Sequence, residues 1–130
     1  MKIAVIIVRT LMGLLFIFAS VVVLFDLIQP PEIPPGPVKA FNDGIAATGY
    51  FMTVLKVTEL ICGIAFVTGR FVPLAAVVIA PIIINIFLFH TFLDRTGLPV
   101  AIFLVLADLF LAYAYRRSYA PLFQPRPALS

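Results

Sequence analysis

The stretch YFMTVLKVTELICGIAFVTGRFVPLAAVVIAPIIINIFLFHTF, residues 50–92, holds two long apolar runs joined by nothing more than Thr68-Gly69-Arg70. Each run, Tyr50 to Val67 and Phe71 to Phe92, is close to the roughly 17 to 25 residues that cross a bilayer as a helix. So short a joint makes the two helices antiparallel neighbours. Two further runs of the same kind flank this hairpin, Ile3 to Ile28 before it and Leu98 to Tyr115 after it.

Composition agrees with a chain solvated by lipid. Of the 130 residues, 63% are hydrophobic and 12% charged, with a mean hydropathy of +1.17; soluble domains carry roughly 25% charged residues. The expected fold is therefore all-α: one integral membrane domain over residues 1–130, a four-helix up-down bundle with spans near 3–28, 50–67, 71–92 and 98–115. The first run starts Met1-Lys2 like a secretory signal, but its apolar length exceeds the ~7 to 15 residues of a signal core and Arg9 interrupts it, so it reads as a retained helix.

With four spans, Lys2, Arg70, Arg116, Arg117 and Arg126 share one side, and Lys39 and Arg95 lie on the other with Glu32, Asp43 and Asp94. The positive-inside bias puts both termini, and the tail 116–130, in the cytoplasm of a cell-membrane protein. The net charge of +3 arises largely from this asymmetry, so nucleic acid is not the expected partner; Arg116 and Arg117 suit an anionic lipid surface. Cys62 is the single cysteine, which excludes a disulfide within the subunit and any CxxC or Cys/His metal spacing. Redox chemistry would need an external carrier.

The outer loop, 29–49, is the one long connection. Prolines at 30, 31, 34, 35 and 37 forbid a regular helix in its first half. From Val38 to Ala47 the pattern allows a short surface helix with Val38, Phe41, Ile45 and Ala46 on one side, or else an ordered loop. The third connection, around Asp94-Arg95-Thr96-Gly97, is short, and the tail beyond Tyr119, with Pro121, Pro125 and Pro127, reads as irregular. No internal repeat suggests the inverted halves of many transporters.

Arg9, Lys56, Glu59 and Asp108 fall deep within the spans, and each would cost ~2.5 to 3.5 kcal/mol if it faced lipid unpaired. Their charges sum to zero, as expected of a set that neutralises itself inside the bundle. The expected contacts are Glu59 with Arg9 or Lys56, and Asp108 with whichever cation remains. Lys56, Glu59 and Gly63 share one helix face, as do Arg9, Gly13, Phe16 and Ser20, and the glycines allow close helix approach. This polar seam is the candidate ligand-binding or proton-relay site; its structural alternative is a device that fixes helix register.

Asn85 and His90 complete the candidate set. Pro81 cannot donate to the carbonyl of Val77, and Asn85, one turn on, lies on the same face. His90 sits near the outer boundary, where a neutral imidazole can hydrogen-bond at headgroup level or exchange protons; a metal there would have to recruit Asp26 or Asp94. No metal site and no catalytic residue is assigned. Phe87, Phe89 and Phe92 could line a flat-ring or isoprenoid site, or simply meet lipid, and Tyr113, Tyr115 and Tyr119 read as an interface belt.

The runs RTLMGLLFIFAS (9–20), ATGYFMTVLKVTELICGIAFVTGRFVPLAAVVIAPIIINIFLFHTFLD (47–94) and GLPVAIFLVLADLFLAYAYR (97–116) resemble the DoxX family of small four-helix membrane proteins. Arg9 and Gly13, Glu59 and Gly63, and the Gly69-Arg70 turn stand in the family's order. The family takes its name from a subunit of a thiosulfate:quinone oxidoreductase, and some relatives are linked to thiol-based oxidative-stress systems. Compatible with the resemblance is an accessory subunit of a membrane redox system that binds a quinone-like ligand or relays protons for a redox-protein partner, with association into homo-oligomers open to it. No haem, flavin or nucleotide motif is present. A scaffold or assembly role, and a small-solute or proton transporter, are the alternatives.

Overall fold

The computed structural model describes residues 1–126 and Leu129. Six helices follow in chain order: α1 (Lys2–Leu24), α2 (Pro37–Ala47), α3 (Phe51–Thr68), α4 (Val72–Phe92), α5 (Leu98–Ala114) and α6 (Arg116–Tyr119). The long helices α1, α3 and α4, and α5 together with the turn before it (Arg95–Ala114), each have the length and apolarity to cross a membrane, and the chain is a multi-pass membrane protein. At ~1.5 Å per residue the four α-helices are about 35, 27, 32 and 26 Å long, against a hydrocarbon core of about 30 Å.

Local chemistry ends each helix. α1 stops at Leu24, short of the expected Ile28, because the chain turns at Asp26 into the left-handed region (φ 50°). α3 closes on Gly69 at φ 76°, a conformation that suits glycine. Pro37, Pro73 and Pro99 stand in the first turns of α2, α4 and α5, where the missing N–H has no helical partner to lose. α4 continues unbroken through Pro81. Between α4 and α5 a single 3-10 turn, Arg95–Gly97, is capped by Asp94, whose carboxylate accepts from the backbone N–H (3.1 Å) and hydroxyl (2.6 Å) of Thr96. Those two bonds hold the Asp94 carboxyl below its ordinary value of 3.8, with the nearby His90 charge acting in the same direction.

The spans form a four-membered ring, α1 against α3 and α5, α4 against α3 and α5. Consecutive spans are therefore neighbours, and the start of α1 and the end of α5 lie at one end, here called the termini end; the proline-rich segment lies at the loop end. The polarity of the bundle is inverted relative to a soluble domain. Its outside is apolar, with Phe18, Ile61, Leu74 and Leu106 all exposed, whereas Glu59, Asp108 and Ser20 are buried among Met12, Phe16, Phe66, Ile79, Leu104 and Leu111.

α1 and α3 make the closest crossing. A Cβ on Gly13 would stand 2.7 Å from the Gly63 carbonyl oxygen, and a Cβ on Gly63 would stand 2.9 Å from that of Gly13. Backbone meets backbone, so neither wall can yield.

The segment from Pro37 to Ala47 is helical, packed over α4 through Phe41 and Phe89, whose ring centroids are 5.0 Å apart. The stretch after Tyr119 is more ordered than its prolines suggest. Residues Ala120–Phe123 form a 3-10 turn, and Tyr119 donates its hydroxyl to the Pro73 carbonyl at 2.6 Å, fastening the tail beneath α4. Tyr119 thus serves as a strut and not as a free member of an interface belt. Pro127, also part of the tail expected to be irregular, lies outside the described residues.

Gly13→Ala and Gly63→Ala should each destabilise the protein by at least about 1 to 3 kcal/mol, the usual cost of overpacking. Gly44→Ala in α2, with nothing within 4 Å of the added carbon, should be neutral or stabilising by up to about 1 kcal/mol. Reversible unfolding in mixed detergent measures all three.

Candidate functional site

The middle of α3 turns Glu59, Cys62, Gly63 and Phe66 into the bundle. Glu59 is 3% exposed, and the Lys56 ammonium one turn away stands 3.1 Å from its Oε2. This is an ion pair within one helix, which sets an ammonium against the enclosed Oε2. The lysine stem lets its ammonium stay partly accessible while the carboxylate is enclosed.

α5 contributes Asp108 from the face that also buries Ala101, Leu104, Ala107 and Leu111. Its Oδ1 is shut off from the surface without a hydrogen-bond partner, and no cation lies within ion-pair distance among the described residues. The expected pairing of Asp108 with Arg9 is thus corrected. Arg9 lies toward the termini end, where its Nη1 donates to the carbonyls of Phe66 (2.9 Å) and Val67 (3.3 Å) in the last turn of α3. Those carbonyls have no helical N–H ahead of them and carry the negative end of the helix dipole, so a guanidinium satisfies both needs. Gly69 makes room for it, since a Cβ there would lie 2.8 Å from Arg9 Nη1. The sequence signal for this clamp was an intramembrane arginine on one helix with a helix-ending glycine on its antiparallel neighbour.

Cys62, one turn beyond Glu59, is 3% exposed and lies within electrostatic range of both Glu59 and Asp108. It also borders an apolar groove of about 590 Å³ between α3 and α4, lined by Ile61, Ala65, Leu74, Ala75 and Val78, with Thr68 and Arg70 toward the termini end. Tyr119 reports on the same region from below. Burial, reinforced by the Asp108 charge, raises its hydroxyl above the ordinary 10.

His90 and Asn85 are not brought to this cluster. His90 is part-buried at the loop end of α4, where its Nδ1 and the Asp94 carbonyl oxygen are 2.9 Å apart. Its ring fills the space beside Gly97 that any Cβ would occupy, which makes it a packing element of the turn. Asn85 is on the exposed face of α4, its Nδ2 donating to the Pro81 carbonyl at 3.0 Å. Among the described residues no group of three or more His, Cys, Asp and Glu is gathered that could hold a metal ion.

The DoxX family profile matches residues 4–91, more than half of the chain. The chain belongs to the DoxX family. No curated protein and no solved structure matches it. The matched segment of this DoxX chain includes Arg9, the Gly13–Gly63 crossing, Lys56, Glu59 and Gly69, whereas Asp108 lies beyond it on α5.

Removing one member of a buried ion pair is more damaging than removing both. Lys56→Met should therefore destabilise the protein by about 3 kcal/mol, and adding Glu59→Gln to it should restore most of the loss. Unfolding midpoints of the two single variants and the double variant complete the cycle.

Proposed function

We propose that this DoxX protein is an accessory subunit of a membrane redox system, and that its buried polar seam receives a quinone-like ligand and exchanges protons with it. The observation that carries the proposal is Asp108 Oδ1, an enclosed carboxyl oxygen with neither a hydrogen-bond partner nor a cation among the described residues. Buried polar atoms in native proteins are nearly always satisfied, so this orphan favours a guest that satisfies it. The groove beside Cys62 opens on the lipid side and has the size and apolar lining of a ligand pocket, which suits a flat ring with a long tail.

On becoming a quinol, a quinone takes up two electrons and two protons. The electrons are assigned to a redox-protein partner, since the single thiol of this chain cannot supply a disulfide couple. Lys56 Nζ can donate to a ring carbonyl, and Glu59 Oε2 and Asp108 Oδ1 are the atoms at which protons are held. Lys2, Arg70, Arg116, Arg117 and Arg126 at the termini end favour a cytoplasmic location for that end in the cell membrane. A second reading, a non-catalytic scaffold, draws support from the Arg9 clamp, which fastens α1 to α3, and from the Lys56–Glu59 pair, which neutralises the enclosed carboxylate within α3.

Mass spectrometry of small molecules extracted from the gently purified protein separates the readings. The quinone reading expects near-stoichiometric quinone in the wild type and at least about tenfold less in folded Glu59→Gln, the effect of losing one charged hydrogen bond. If both proteins are folded and neither carries quinone, the scaffold reading stands instead.

A further inference from the structure

The exposed face of α4 carries polar groups that the bundle does not satisfy. Asn85 lies seven residues from the loop end of α4, about 10 Å in at ~1.5 Å per residue, which is within the hydrocarbon layer. Its Nδ2 makes one bond, to the Pro81 carbonyl, leaving one N–H and the amide oxygen with no partner among the described residues. Pro81, one turn away, has no N–H to give the Val77 carbonyl. Val77, Pro81 and Asn85 are spaced four apart on one exposed face. Lipid tails offer hydrogen bonds to none of these groups.

We propose that this face is a homodimer interface, in which Asn85 pairs with Asn85 of a second copy across a two-fold axis along the membrane normal. An amide with one free donor and one free acceptor is complementary to itself, so two identical groups close a pair of hydrogen bonds. A second copy inserted in the same orientation presents its amide at the same depth, a match that an unrelated helix meets only by coincidence. Leu74, Val78, Ile84 and Leu88 flank the amide as exposed apolar side chains and supply the surrounding contact. The interface uses neither Glu59 nor Asp108, but Leu74 and Val78 also line the groove beside Cys62, so the dimer is expected of protein free of quinone.

Energy transfer between donor- and acceptor-labelled full-length copies in lipid vesicles, followed as lipid dilutes the protein, measures the association. The wild type should dimerise, and Asn85→Leu should dissociate at about tenfold higher protein density or more, the scale of a pair of interhelical hydrogen bonds. Oxidative cross-linking gives the position: Leu88→Cys, on the same face, should cross-link efficiently, whereas Leu106→Cys, exposed on α5, should not. A wild type that stays monomeric at every density, an Asn85→Leu protein that associates like the wild type, or stronger cross-linking at position 106 than at 88 would overturn the proposal.

Discussion

The reciprocal contact of Gly13 and Gly63 sets the register on which the other intramembrane interactions depend. Helices in lipid have little hydrophobic reason to associate, so a crossing that lets two backbones touch supplies much of the attraction through close packing and fixes position as well. Because α1 and α3 are antiparallel, four residues from Gly13 toward the termini end is Arg9, and four residues from Gly63 in the same direction is Val67. The guanidinium therefore arrives at the open carbonyls of α3. The same register puts Glu59 about 12 Å from the level of Val67, beyond a direct Arg9–Glu59 pair.

With Arg9 committed to carbonyls and Lys56 to Glu59, Asp108 is left without a cation. That imbalance separates this seam from a self-neutralising set of helix fasteners. Its position strengthens the contrast, because Cys62, which borders the groove between α3 and α4, lies within electrostatic range of Asp108 on α5 as well as of Glu59 on its own helix. A carboxyl that only fixed register would be expected to have its partner in the fold.

Much of this architecture was legible in the sequence. Length and apolarity marked the four spans, Thr68-Gly69-Arg70 forced the α3–α4 hairpin, and the phases of Gly13 and Gly63 put both on the buried faces. The Lys56–Glu59 pair was one of two alternatives left open by helical spacing. Less visible was the acceptor for Arg9, because charge counting looks for carboxylates and the real partners are backbone carbonyls present at every helix end. Asn85 and His90 were singled out by residue type and by place along the span, Asn85 one turn from Pro81 and His90 near the outer boundary; which face of α4 each occupies depends on how α4 sits in the ring, and neither reaches the central cluster. The Tyr119 strut depends on a carbonyl at Pro73, 46 positions away, and no local pattern encodes so distant a contact.

The proposed ligand enters the groove between α3 and α4, whose lining includes Cys62 but not Glu59 or Asp108, and extends inward past Cys62 to those carboxyl groups. Photolabelling of the full-length protein in lipid vesicles with an azidoquinone, followed by peptide mapping, tests that placement most directly. The account predicts label on α3 around residues 59–65 and on the facing turns of α4 and α5, suppressed by excess unlabelled quinone. Label confined to the proline-rich loop, or spread over the lipid-facing surface and insensitive to competitor, would contradict it.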